Sequence, residues 1–100
     1  MIVVRFKVQC QKGKSEHALA VFADVIGPSR ALDGVVSFDV GRDLADPNSI
    51  IAVEVFRDRA AFDCQGALPE VARVMALMPE IVAASPEATM FHVSSCEALQ

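Results

Sequence analysis

Three side chains in this sequence of 100 residues are candidates for acid–base chemistry, and they are widely separated along the chain. Glu54 is the one charged residue in the apolar run 50–56, and apolar neighbours raise the pKa of a carboxyl toward that of a general base. His17 and His92 are the two imidazole side chains of the sequence, a residue type common in acid–base catalysis. The alternative roles are structural: an ion-pair partner for Glu54, a hydrogen-bonding residue for His92, and a solvated helix residue for His17.

The residues that most often bind metals or cofactors do not form a motif. Cys10, Cys64 and Cys96 are far apart without a C-x-x-C pair, which argues against a zinc or redox site and favours three inert thiols. There is no G-x-G-x-x-G or P-loop either. We therefore expect no metal site.

The N-terminal segment predicts an intracellular protein. Arg5 and Lys7 interrupt the first apolar stretch, which is unlike a secretory signal, and no apolar run reaches the ~20 residues of a membrane span. Free thiols without an export signal indicate the cytoplasm.

Composition limits the class of protein further. The chain is 53% hydrophobic and 22% charged, with a formal net charge of −4. This composition excludes a disordered chain, and the acidic balance argues against nucleic-acid or membrane partners. We expect one domain over 1–100, whose apolar surface needs a partner, most simply a second copy.

Hydrophobic spacing predicts the elements in the first half of the chain. Residues 2–9 alternate as a half-buried strand. Helical spacing then begins near Glu16, with Ser15 as a cap, and weakens or kinks at Gly27-Pro28. Alternation returns in 35–41 and 50–56, which predicts a hairpin whose loop, around Asp46-Pro47-Asn48-Ser49, is longer than the tightest kind.

The second half of the chain contains helical signals and one more strand. Asp58 suits the N-cap of a short helix that Gly66 interrupts. A helix restarts with Pro69 in its first turn and is closed by Pro79. Residues 88–95 are predicted to form the last strand.

The order β-α-β-β-α-β predicts an α+β, ferredoxin-like sandwich with an antiparallel sheet, in which the first strand lies between the third and the fourth. Helices should cover the face that carries Ile2, Val4, Phe6, Val8, Ile51, Val53 and Val55. The other face would carry Val3, Arg5, Lys7, Ile50, Ala52, Glu54 and Phe56 and pack against a second sheet. In this arrangement Glu54 would meet Arg5 or Lys7.

Several short segments, in order and spacing, are similar to one known family. They are Lys12-Gly13-Lys14, Ser29-Arg30 followed by Asp33-Gly34-Val35-Val36-Ser37-Phe38, Arg42-Asp43, Asp46-Pro47-Asn48, Glu54-Val55-Phe56, and Asp58-Arg59-Ala60-Ala61-Phe62. Over nearly its whole length the chain resembles the antibiotic biosynthesis monooxygenase family, near its quinol monooxygenase branch. The resemblance implies a homodimeric α+β barrel joined through the sheet faces. It also implies an oxygenation by O₂ in which the substrate donates the electrons and no cofactor takes part.

The resemblance also implies a pocket between sheet and helices, with Gln65 at a position where the family often has His. An amide can hydrogen-bond a hydroxyl but cannot accept a proton near neutral pH. The catalytic candidates are therefore Gln65, Glu54 and His92. The substrate-binding candidates are Phe22, Ser29, Arg30, Phe38, Asn48, Phe56, Phe62, Met75 and Met78.

Two functions follow from these residues. The first is a cofactor-independent monooxygenase that oxidises a quinol or another aromatic polyphenol. The alternative is a non-catalytic dimeric barrel that binds a small hydrophobic ligand, which the absence of Trp and Tyr and of a pocket His favours. Haem degradation is weaker, because His17 and His92 lie on other elements than Gln65.

Overall fold

A four-stranded antiparallel sheet forms one layer of the molecule, in the order β2 (Val35–Asp43), β3 (Asp46–Phe56), β1 (Ile2–Gln9) and β4 (Glu87–His92). The computed structural model describes residues 1–99; Gln100, the end of the predicted domain, lies outside the described residues. The predicted ferredoxin-like α+β fold is confirmed. Two consecutive helices occupy the place of the second helix in the β-α-β-β-α-β order. The elements are β1 (Ile2–Gln9), α1 (Ser15–Arg30), β2 (Val35–Asp43), β3 (Asp46–Phe56), α2 (Arg59–Gly66), α3 (Pro69–Ile81) and β4 (Glu87–His92).

The register of β3 against β1 decides which side chains face the helices. Residues paired across neighbouring strands point to the same face, and Val4 pairs with Glu54. The predicted faces of β3 are therefore wrong. Ile50, Ala52, Glu54 and Phe56 share the helix-covered face with Ile2, Val4, Phe6 and Val8, whereas Ile51, Val53 and Val55 share the outer face with Val3, Arg5 and Lys7.

This register also overturns the expected ion pair of Glu54. Its carboxylate lies on the opposite side of the sheet from Arg5 and Lys7, and the Lys7 ammonium instead lies 3.4 Å from the Asp43 carboxylate. The sequence was ambiguous because 50–56 is apolar on both sides of the strand. The predicted face of Glu54 packs against a second sheet, whereas in the structure helices cover it.

The core lies between the inner face of the sheet and the helices. Helix α1 packs against β2 and α3, and α2 packs against β3. The main cluster of buried apolar residues is Val8, Cys10, Ala18, Phe22, Val25, Phe38, Ile50, Val74, Met78 and Ile81. A smaller cluster contains Ile2, Phe56 and Ala61. No helix within residues 1–99 is long and apolar enough to cross a lipid bilayer.

The β2–β3 hairpin is tighter than predicted, because only Leu44 and Ala45 separate the two strands. The Asp43 Oδ1 atom accepts a hydrogen bond from the Ala45 backbone N–H at 2.8 Å. Asp46 accepts one from the Ser49 hydroxyl at 2.6 Å. The polar residues expected to form a loop thus stabilise the turn and the beginning of β3.

The helix ends differ from expectation at two positions. Helix α1 begins at Ser15 itself, with Lys14 in the N-cap position, and α3 continues through Pro79 to Ile81 instead of closing at the proline. Helix α1 continues through Pro28, where the sequence predicts a weakening or a kink and not an end. Each proline lies within three residues of its helix end, so little helix follows the hydrogen bond that its missing N–H removes. The Asp58 cap is confirmed, since its carboxylate accepts the Ala61 N–H at 2.9 Å. Strand β4 is shorter than the predicted 88–95.

Candidate functional site

A cavity of about 120 Å³ lies between the inner face of the sheet and all three helices. All but two of its lining residues are apolar, and the two polar ones are Glu54 and Gln65. Met75 is 61% exposed and marks the solvent side of the cavity. The lining residues are Phe6, Phe22, Val25, Phe38, Val40, Ala52, Glu54, Gln65, Val71, Val74 and Met75.

Glu54 supplies the one carboxyl group of the cavity. On the inner face of β3 it lies between its cross-strand partners Val4 and Phe38. Burial raises the pKa of the Glu54 carboxyl to about 7, because removal from water disfavours the charged form. At neutral pH a substantial fraction is therefore ionised and can accept a proton from a bound hydroxyl.

Gln65 supplies a second polar group and is held by a buried neighbour. Its Nε2 donates a hydrogen bond to the Ser29 Oγ atom at 3.2 Å. Both residues are buried: Ser29 is 0% exposed and Gln65 is 6% exposed. The contact joins the last turns of α1 and α2 and fixes one end of the amide. The Gln65 carbonyl oxygen can then accept a hydrogen bond from a hydroxyl in the cavity.

Phenylalanine rings form much of the remaining wall. The Phe6 and Phe22 ring centroids are 6.1 Å apart, with 35° between the ring planes. Phe38 comes from β2 and is buried. Such walls favour a flat apolar ligand and strengthen the hydrogen bonds that a few polar groups make to it.

The structure brings together part of the residue set predicted from the sequence. Phe22, Phe38, Glu54, Gln65 and Met75 line the cavity, and Ser29 lies directly behind Gln65. The sequence prediction missed Phe6, Val25, Val40, Ala52, Val71 and Val74. The alternation of β1 places Phe6 on the inner face and could have found it; the others are small aliphatic residues whose spacing resembles that of any core.

Four predicted binding residues lie in other environments. The Arg30 side chain donates from Nε to the Phe38 carbonyl at 3.0 Å and pairs with Asp39 at 3.1 Å. The rings of Phe56 and Phe62 pack edge to face, 5.5 Å apart, in the smaller core cluster. Met78 belongs to the main core cluster.

Asn48 and His92 also lie away from the cavity walls. The Asn48 carbonyl accepts the Cys10 N–H at 2.7 Å, which anchors β3 to the end of β1. His92 ends the edge strand β4 and is exposed, in a surface cleft with Arg57 and Arg59. Within residues 1–99, no three His, Cys, Asp or Glu side chains are placed to hold a metal ion.

Comparison with known proteins identifies one matching family and one related sequence. Residues 1–76 match the family model described as antibiotic biosynthesis monooxygenase. An uncharacterised protein of Synechocystis, sll1783, is 28% identical over 98 residues, which are 98% of this chain and 67% of that protein.

Solved structures share the whole architecture. Protein SO0527 from Shewanella oneidensis superposes with a TM-score of 0.85 at 28% identity, covering 92% of this chain and 89% of that one. Rv0793 from Mycobacterium tuberculosis superposes with a TM-score of 0.88 at 20% identity, covering 97% and 98%. Because Rv0793 is 20% identical to this chain, this second similarity shows a shared fold alone.

Proposed function

Because the chain belongs to the antibiotic biosynthesis monooxygenase family, we propose that it is a monooxygenase that oxidises a quinol or another aromatic polyphenol with O₂ and without a cofactor. The observation that carries the proposal is an apolar cavity in which Glu54 has a pKa of about 7. We further propose that the chain acts as one domain in the cytoplasm, where the exposed Cys64 and Cys96 would stay reduced.

The proposed reaction begins with proton transfer. Ionised Glu54 accepts the proton of a ring hydroxyl, and the phenolate then gives one electron to O₂ more readily than the phenol would. A phenol has an ordinary pKa of about 10, so full transfer to Glu54 costs about 4 kcal/mol. This cost is small enough for an enzymatic step, and the Gln65 carbonyl oxygen, by accepting a hydrogen bond from the second ring hydroxyl, would hold the ring in position.

In the remaining steps atoms and electrons balance with the substrate as the sole reductant. Superoxide and the substrate radical combine at a ring carbon, forming a C–O bond. The peroxide O–O bond then breaks, one oxygen stays on the ring and the other leaves as water. For a benzene quinol, C₆H₆O₂ and O₂ become C₆H₄O₃ and H₂O. The apolar walls, among them Phe22 and Phe38, keep solvent from the radical pair.

We also propose that two copies associate through the outer faces of their sheets. The helices leave this face uncovered, although it carries apolar side chains. Val53 is 39% exposed and Phe91 is 47% exposed, and Val3 and Val55 lie beside them in the register. A second sheet would remove this surface from water, which stabilises the association in proportion to the apolar area buried.

The direct test is oxygen consumption by the metal-free protein with a panel of quinols. We expect uptake above the rate of protein-free autoxidation, and with ¹⁸O₂ one labelled atom in the product. Gln65→Ala should lower the protein-dependent rate at least tenfold, whereas Leu44→Ala, at the exposed β2–β3 turn, should leave it unchanged. Uptake no faster than autoxidation with every quinol would refute the enzyme proposal.

One observation favours a non-catalytic alternative, in which the cavity only binds a small hydrophobic ligand. Its second polar residue is Gln65, which cannot accept a proton, where the family often has His. Saturable binding of a quinol under nitrogen without oxygen uptake in air would favour this alternative.

A further inference from the structure

The cavity is small enough to limit the size of its ligand. Its volume of about 120 Å³ is close to that of an engineered apolar cavity of about 150 Å³ that binds benzene. A fused two-ring quinol has four more ring carbons than a one-ring quinol. Within its walls the cavity therefore has space for one six-membered ring with small substituents, and a second fused ring would have to extend past Met75 at the solvent side.

The buried walls, which come from the sheet and from α1, cannot easily make more room. Phe38 is 4% exposed, Ala52 is 3% exposed and Phe22 is 6% exposed, so each is fixed by packing on several sides. Enlarging a close-packed wall requires off-rotamer side chains or backbone shifts. Met75, which is 61% exposed, is the most exposed of the lining residues and lies at the solvent side of the cavity.

The two polar residues add a chemical requirement to this size limit. Glu54 on β3 and Gln65 on α2 present hydrogen-bonding groups from different elements to one apolar space. A ring with two hydroxyl groups can satisfy both, while an unsubstituted ring would leave them without partners.

From these observations we propose that the substrate is a dihydroxybenzene, a one-ring diol, and that Met75 is the residue that excludes fused two-ring diols. This inference rests on the proposed function and specifies its substrate class. A larger aromatic ring buries more apolar surface and would bind more tightly if it had room. A preference for the smaller ring is therefore evidence of a steric limit.

The test compares hydroquinone with 1,4-dihydroxynaphthalene, which have the same hydroxyl arrangement, in binding titrations without oxygen. The protein has no Trp and no Tyr, so the near-ultraviolet absorbance and fluorescence of the ligands can be followed directly. We expect hydroquinone to bind at least tenfold more tightly. Met75→Ala should reduce this preference at least fivefold, and because Met75 is exposed, the variant should keep its fold. Leu44→Ala should retain the full preference.

The possible results separate the two proposals. Equal or tighter binding of the two-ring diol by the unmodified protein would overturn the size limit and leave the proposed monooxygenase intact. A preference unchanged by Met75→Ala would overturn the assignment to Met75. If neither diol bound, this inference and the proposed function would both fail.

Discussion

Glu54 is the residue on which the proposed chemistry depends, and its environment predicts a pH profile. Burial raises the pKa of the Glu54 carboxyl from 4.5 to about 7, so the proton-accepting form increases between about pH 6 and pH 8. We expect protein-dependent oxygen uptake, corrected for autoxidation at each pH, to rise through about pH 7. Glu54→Gln should abolish this rise and lower the rate at pH 8 at least 100-fold, a typical effect of removing a general base.

The raised pKa of Glu54 can also be tested through the pH dependence of folding stability, without measuring enzymatic activity. In the unfolded chain the Glu54 carboxyl ionises near its ordinary value, so between about pH 4.5 and pH 7 the folded state binds more protons. Stability should therefore fall as the pH rises through this interval. Denaturant unfolding should show a pH-dependent loss of about 2–3 kcal/mol that is absent from Glu54→Gln. Parallel profiles for the two proteins would contradict the raised pKa.

At the scale of elements, the order of strands and helices could be predicted from the sequence, whereas the face of β3 could not. Alternation locates β1 because Arg5 and Lys7 interrupt its apolar residues. In β3 every residue from Ile50 to Phe56 except Glu54 is apolar, so periodicity cannot distinguish the two sides. Only pairing with β1 resolves this ambiguity, and pairing is a long-range property.

The candidate site, like the strands, could be predicted only in part from the sequence. The resemblance predicts Gln65, because it relates positions in a shared fold, whereas Met75 is predicted from the apolar stripe of its helix. The Ser29 contact was not found, because the two residues are 36 positions apart and neither sequence neighbourhood suggests a buried hydrogen bond. Pro79 shows the same limit, since tertiary packing maintains α3 through this residue despite its low helix propensity.

The approach of α2 to the beginning of β2 depends on Gly34, which offers a test at this scale. Its φ is +84°, and a Cβ atom there would lie 2.7 Å from the Ala61 Cβ atom. Gly13 has the same φ but open space around it. Gly13→Ala should destabilise by about 1 kcal/mol through backbone strain alone.

Gly34→Ala should add an overpacking cost and destabilise by about 2–4 kcal/mol in total. Because α2 also carries Gln65, the variant should weaken binding of hydroquinone, whereas Gly13→Ala should not. Thermal and denaturant unfolding measure the first effect, and the binding titration measures the second. Equal destabilisation by both substitutions would show that α2 can move away from β2 without cost.

At the scale of the whole molecule, the fold separates two apolar surfaces by one sheet. The inner surface is covered by helices and encloses the cavity, while the outer one is uncovered. Strand β3 contributes to both, since Glu54 faces inward and Val53 outward. The proposed self-association would therefore bury the back of the same strand that carries the proposed base.

Val53→Lys tests this association. Val53 pairs with Arg5 in the register, so a lysine would place a second positive charge beside the first and bring both toward the partner's sheet. We expect the unmodified protein to have the mass of a dimer by light scattering at micromolar concentration, and Val53→Lys to dissociate at least tenfold more readily.

Ala20→Lys, on the exposed side of α1, adds the same charge on the opposite layer and should leave the dimer intact. A monomeric unmodified protein, or equal dissociation of both variants, would mean that the outer sheet face is not the contact. Because the helices and the sheet of a single chain line the cavity, a monomeric Val53→Lys protein should still bind hydroquinone. Any loss of affinity would measure how far the partner supports β3 from behind.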